Sequence, residues 1–203
     1  MLIIAMASLA GFLVVGNGAI LAAHALAHRG ASGERPTVDG VRNFRVVDAK
    51  LWRGGHPSEI GYRSLAAAGV GTIIDLRAES IVHLPTALLD ELGLDVVRIP
   101  MRDGQAPSRE QVGTFLASVA GADGTVYVHC MAGVGRTGAM IGAYLLETTD
   151  ASTTDVLEGA LAVGPPSLEQ LAFLGADAGQ PNQLVTGVSR LLDAPRRIWS
   201  YVK

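Results

Sequence analysis

The segment "TVYVHCMAGVGRTGAMIGAYLL", residues 125–146, constrains the fold more tightly than any other. Its opening residues, ending in His129, read as a buried strand. A loop holding Gly133 and Gly135 breaks that run, and the apolar stretch after Arg136-Thr137-Gly138 has helical character. A strand that passes through a tight loop into a helix is half of a βαβ unit. The loop then lies at the strand's carboxyl end, where open α/β sheets place their ligands. Cys130, the only cysteine of the 203 residues, stands at this junction.

The preceding chain repeats the alternation. "FRVV" and "KLWR" read as short strands around an Asp48-Ala49 turn, and Ser58 is placed to cap a helix that stops near Gly69. "GTIIDLR" reads as a buried strand, followed by a helix around Pro85 to Leu92 and the strand "LDVVRIP". Ser108 and Gln111 have the spacing of a capping box opening the helix "REQVGTFLASVA". Strands alternating with helices of about ten residues predict an α/β fold whose central, mostly parallel sheet is flanked by helices.

The chemistry follows from the loop. Five residues, Met131, Ala132, Gly133, Val134 and Gly135, separate Cys130 from Arg136, and the glycines allow a tight turn with backbone N–H groups pointing inward. A nest of this kind at a helix N-terminus is a ready anion site. Arg136 adds a planar fork able to hold two phosphoryl oxygens at once. A thiol in such a field is expected to ionise near neutral pH, and a thiolate facing a bound phosphate monoester suggests a covalent phosphocysteine route. His129 is placed to fix the loop by hydrogen bonding.

"HCMAGVGRTG" resembles the His-Cys-x5-Arg-Ser/Thr-Gly signature of the cysteine-dependent protein tyrosine phosphatase superfamily. The resemblance implies a dual-specificity phosphatase-like fold, with Cys130 as nucleophile, Arg136 as phosphate clamp and Thr137 as the hydroxyl that assists the departing thiolate. "RIPMRDGQAPS" offers Asp103 between a strand and a helix, and its Asp-Gly-x-x-Pro pattern is similar to the general-acid loop of dual-specificity phosphatases. Asp75 is the rival carboxylate, placed one strand earlier and more like a structural or capping residue. "FRVVDAKLWRGGHPSEIGYRSLAAAGVGTIIDLR" looks like the entry segment of compact members, in which Arg53, Gly54, His56 and Pro57 belong to the packed frame, and "GPPSLEQLAFL" resembles a later helix of the same domains.

The neutral residues between Cys130 and Arg136 favour a phosphoprotein, phosphotyrosine above all, over a polyanionic inositol, which needs more than one cation. Arg102, beside Asp103, supplies a second cation for the alternative of a phosphoinositide or inositol phosphate. A rhodanese or arsenate reductase fits the motif poorly. A phosphate-binding pseudophosphatase is the alternative without turnover, although cysteine, arginine and acid are all present. The expected partner is a phosphorylated protein or small phosphate ester, with no cofactor and no metal. A net charge of −3 gives no electrostatic footprint for nucleic acid.

Residues 2–27 contain no Asp, Glu, Lys or Arg, enough apolar helix to cross ~30 Å of hydrocarbon. An anchor with a cytoplasmic domain is favoured by the absence of Lys or Arg before the run and by Arg29, Arg35, Arg42 and Arg45 after it. A cleaved signal, leaving a secreted or periplasmic domain, is the alternative offered by "AHALA". The expected organisation is an apolar helix over 1–27, a linker over 28–43, a phosphatase domain over 44–176 and a C-terminal helical extension over 177–203. In that extension Leu184, Val188, Leu191 and Leu192 have helical spacing, and Arg196, Arg197, Trp199 and Lys203 form a basic, aromatic tail able to meet a membrane surface.

Overall fold

The computed structural model describes residues 2–30, 36–79, 85–179, 181 and 183–194; the side chains of 2–10 and 30 and the tail from 195 onward lie outside the described residues. Five strands form one sheet, β1 (Arg45–Val46), β2 (Leu51–Gly54), β3 (Val70–Arg77), β4 (Asp95–Met101) and β5 (Thr125–His129). They lie in the order β1-β2-β5-β3-β4, and only β1 runs antiparallel to its neighbour. The short β1–β2 connection turns on Asp48, whose Oδ1 accepts from the N–H groups of Lys50 and Leu51 at 2.7 and 2.8 Å. The mostly parallel sheet expected from the alternation is what the chain builds.

Period-two alternation explains the layers. Val126 and Val128 of β5, with Ile74 and Leu76 of β3, face a core completed by Phe115 and Val119 of α4 (Arg109–Gly121) and by Met140 and Ile141 of α5 (Gly135–Thr148). Tyr127 and Ile73 point the other way, to Tyr62 and Leu65 of α2 (Glu59–Ala67) and Leu89 of α3 (Thr86–Glu91). A third cluster joins α5 to α6 (Thr153–Val163) and α7 (Leu168–Gly175) through Ala139, Ala143, Val156, Ala160, Phe173 and Leu174. Helix α6 was not among the expected elements. Its start carries a capping box in Ser152 and Asp155, and Ser167 with Gln170 starts α7 the same way.

The flanks differ from expectation in instructive ways. Helix α1 spans Leu2–Gly30, so it runs three residues past the expected end, and residues 40–43 of the expected linker bond to the domain. Gly40 and Arg42 accept hydrogen bonds from the N–H groups of Ser58 and Gly55, and Asn43 Nδ2 donates to the Ala132 carbonyl at 2.9 Å. Helix α1 lies against α6 and α8 (Gln183–Leu192). Its polar residues face that contact: Asn17 Nδ2 donates to the Leu192 carbonyl at 3.4 Å, and the Nδ1 atoms of His24 and His28 lie 2.6 and 3.0 Å from the carbonyls of Leu161 and Ala162. Its apolar side chains Val14, Val15, Leu21 and Leu26 are exposed. In α8 the expected apolar stripe divides, with Leu192 buried against Gly16 and Leu184 and Leu191 pointing outward.

Candidate functional site

Three neighbouring strands deliver the site from their carboxyl ends. Cys130 follows β5, Asp103 follows β4 after Met101, and Glu79 follows β3. Helix α5 begins directly after the loop with Val134 at its N-cap and no side-chain cap. Helices α2, α4, α6 and α7 all start with a serine that accepts from a first-turn N–H. The first N–H groups of α5 therefore keep no protein side chain, which is the condition for an anion to take them.

Asp103, Cys130, Met131, Ala132, Val134, Gly135, Arg136 and Pro165 line one cavity of about 340 Å³. Cys130 is 3% exposed and Arg136 1% exposed at its base. Arg136 is fixed from several directions. Its Nη1 and Nη2 each lie 2.9 Å from a carboxylate oxygen of Glu79, and Nη1 also donates to the Met101 carbonyl at 3.1 Å. Its Nε stands 3.4 Å from Asp103 Oδ1 and makes no hydrogen bond. Burial works against the charge on Arg136, but the charge of Cys130 and the bonds to Glu79 outweigh it and hold the guanidinium protonated beyond its ordinary range. Burial also pushes the Glu79 carboxyl up, and the hydrogen bonds and charge of Arg136 more than offset this, keeping it below the usual carboxylate value.

The remaining residues expected here take different places. Gly133 does not line the cavity: it turns with a φ of +73°, and a Cβ there would meet the Gly54 backbone carbon at 2.2 Å. The Gly133 carbonyl accepts from Arg53 Nη2. Thr137 is fully buried behind the loop with its Oγ1 unpartnered. Met131 is half-exposed at the lip. Arg102 is exposed beside Asp103.

His129 is fully buried, and its Nδ1 lies 3.0 Å from the Cys130 carbonyl. A carbonyl only accepts, so Nδ1 carries the proton. Burial pushes this imidazole down to about 4 against the pull of Asp75, so it is neutral at pH 7. Asp75 is engaged with Arg77 through Nε and Nη2, both at 2.9 Å, which makes it the structural carboxylate the sequence suggested. Tyr127 stacks on His129 and donates to the Gly55 carbonyl at 2.6 Å.

Glu79 escaped the sequence reading, although a carboxylate just past a buried parallel strand is a recognisable signal. Pro165 and Gln170 also escaped it. Gln170 Oε1 occupies the space a Cβ on Gly135 would need, at 2.5 Å, and its Nε2 donates to the Gln105 carbonyl at 3.1 Å, tying α7 to the segment that carries Asp103. Among the described residues no three His, Cys, Asp or Glu side chains converge to hold a metal ion.

Comparison with known proteins agrees with this geometry. NAD kinase 2, chloroplastic, of Arabidopsis thaliana is 37% identical over 112 residues, 52% of this chain and 11% of that protein. Tyrosine-protein phosphatase cdc-14 of Caenorhabditis elegans is 30% identical over 92 residues, 45% of this chain and 13% of that one. The chain thus spans only a small part of these relatives. The core catalytic domain of the PP-IP phosphatase SIW14 from S. cerevisiae has the same fold, with a TM-score of 0.59 at 18% identity, over 80% of this chain and 97% of that one. The family described as a DSP-PTPase phosphatase fused to NAD+ kinase matches residues 33–175, well over half of the 203, and the chain belongs to that family of dual-specificity-type phosphatase domains.

Proposed function

We propose that this chain hydrolyses phosphate monoesters through a phosphocysteine intermediate, with phosphotyrosine in proteins as its main substrate. The observation that carries the reading is the convergence of Cys130, Arg136 and Asp103 on one cavity beneath an uncapped helix N-terminus. The loop N–H groups and the Arg136 fork bind the three non-bridging oxygens. The Cys130 thiolate attacks phosphorus, an S–P bond forms, and the ester P–O bond breaks as Asp103 delivers its proton to the leaving oxygen. The Asp103 carboxylate then takes a proton from a water that attacks phosphorus, and the S–P bond breaks to release phosphate and restore the thiolate. The unpartnered Thr137 hydroxyl stabilises the sulfur as it leaves. Glu79 and the Met101 carbonyl keep Arg136 in place throughout. His129 holds the Cys130 carbonyl from behind and exchanges no proton in the cycle.

The neutral lining of Met131, Ala132, Val134 and Gly135 supports a substrate with one phosphate. The exposed guanidinium position of Arg102 beside Asp103 supports an inositol phosphate or phosphoinositide as the second reading. Residues 11–29 are long and apolar enough to cross a membrane and none of that window is buried, which supports a bilayer-associated enzyme, single-pass with a cytoplasmic domain. The outward-facing Val14, Val15, Leu21 and Leu26 are the lipid-contacting residues in this reading.

Turnover of p-nitrophenyl phosphate tests the activity: the full chain should hydrolyse it, Cys130→Ser should not, and an inert wild type that still binds a phosphotyrosine peptide contradicts the reading in favour of a pseudophosphatase. A matched panel of phosphotyrosine, phosphoserine and inositol phosphate substrates separates the two substrate classes.

A further inference from the structure

Behind the phosphate loop lies a second cavity, also of about 340 Å³, between the β1–β2 edge and helices α5 and α6. Its walls are mostly apolar, with Val47, Ile141, Leu145, Val156 and Val163 among them. Its charged members are Arg45, Arg53 and Asp155. Asp155 is committed elsewhere, because its carboxylate accepts from the N–H and the hydroxyl of Ser152 in the α6 capping box. Arg45, at the edge of the cavity, donates from Nη1 to the Phe44 carbonyl at 2.7 Å, and the two guanidiniums outnumber the carboxylate in the wall.

Arg53 is the unusual one. Three arginines are buried among the described residues, Arg53, Arg77 and Arg136. Arg77 has Asp75 and Arg136 has Glu79 as ion-pair partners. Arg53, 4% exposed, pairs with no carboxylate among the described residues. One nitrogen, Nη2, donates to the Gly133 carbonyl, while Nε, buried and without a hydrogen-bond partner, is left over. Burial, with the neighbouring Arg45 charge, lowers this guanidinium to about 10, and the Cys130 charge opposes that from the loop side without satisfying a donor. A buried guanidinium without a carboxylate partner, lining an apolar cavity, is stabilised by an anion that brings its own apolar body. Pockets of this size, apolar with a few fixed polar groups, are suited to small ligands.

We propose that this cavity binds a small amphiphilic anion, an aryl or short alkyl carboxylate or phosphate, whose head group engages Arg53 and Arg45 and whose apolar part lies between α5 and α6. The site is distinct from the Cys130 cavity and stands one side chain behind it, since the same Arg53 guanidinium holds the Gly133 carbonyl of the loop. Occupancy is thereby linked to the loop without competing for it.

The test is isothermal titration calorimetry of the full chain with naphthalene-2-carboxylate, in saturating inorganic phosphate so that the loop is filled. Naphthalene-2-carboxamide, of the same shape and without charge, is the comparator. The carboxylate should bind at one site per chain, at least tenfold more tightly than the amide. Gly159→Phe places a ring at a cavity-lining position where an added Cβ meets nothing within 4 Å, and it should abolish binding. Arg45→Gln, a second variant at the cavity mouth, should weaken binding at least threefold. Absence of binding, equal binding of acid and amide, or carboxylate binding unchanged in both variants would overturn the proposal. The readout requires no turnover, so an enzyme inactive toward phosphate esters can still pass it, and an active one can fail it.

Discussion

The phosphate loop has a front and a back, and they are built on opposite rules. The front, facing the cavity, is made of groups held ready with bonding capacity to spare: the uncapped α5 N–H groups and the Arg136 Nε. At the back most groups are spent on their neighbours, with Asp75 on Arg77, Tyr127 on Gly55 and the Nδ1 of His129 on Cys130, while the Nε2 of His129, the Nε of Arg53 and the Oγ1 of Thr137 are left over among the described side chains there. Unfilled capacity facing a cavity is what a site needs if it is to bind a ligand, while a polar layer bonded mostly to itself fixes the loop's shape. Changes at the front should therefore alter rate and leave stability nearly intact, and changes at the back should do the reverse.

The largest effect is expected at the back. Asp75→Asn leaves the Arg77 guanidinium buried without its carboxylate and should destabilise the fold by about 3–5 kcal/mol in chemical denaturation. At the front, Arg136→Lys replaces the fork by a point charge that cannot take both Glu79 and a phosphoryl group in the same geometry. It should lower kcat/KM for p-nitrophenyl phosphate by ~10²–10³-fold while moving the thermal midpoint little. Asp103→Asn removes the proposed proton donor, which is a quarter exposed, and should lower kcat by about 10²-fold, with the alkaline limb of the pH–rate profile flattened and stability unchanged. A midpoint that falls with the rate in either front variant would erase the distinction.

The smallest effect is a pH dependence from the back. Burial lowers His129 from an ordinary 6.5 to about 4, so the folded chain stays unprotonated where the unfolded chain takes up a proton. Stability is thus complete above pH 6.5, falls as pH drops from 6.5 toward 4, and levels off below. At ~1.4 kcal/mol per unit the loss between pH 7 and 5 is about 2 kcal/mol, with a smaller contribution of the same sign from half-buried His56. His129→Gln should flatten that slope; a slope unchanged in the variant would assign the acid sensitivity elsewhere.

The contrast also explains what the sequence disclosed. The front is local: Cys130 to Arg136 occupy one stretch, and Asp103 lies where a strand hands over to a capped helix, so the spacing, the turn chemistry and the family signature all point to residues that line one cavity. The Ser108–Gln111 capping box forms as its spacing indicated. The back is assembled from β2, β3 and β5, and the partnership of Glu79 with Arg136 joins residues 57 apart in sequence, so neither residue marks the other. Helix α6 was hidden because its apolar side meets α5 and α7 rather than the sheet, although Ser152 and Asp155 announce its start. For α1, composition indicated a long apolar helix; that Asn17, His24 and His28 lie together facing α6 and α8 depends on a docking geometry no local pattern contains.

The central claim is that the phosphoryl group passes through Cys130. Rapid acid quench of the full chain during turnover of p-nitrophenyl phosphate, followed by peptide mass spectrometry, tests it directly. The account predicts a phosphoryl adduct on the peptide containing Cys130, absent from Cys130→Ser along with turnover. Turnover that persists in Cys130→Ser, or an adduct on a side chain other than Cys130, would contradict it.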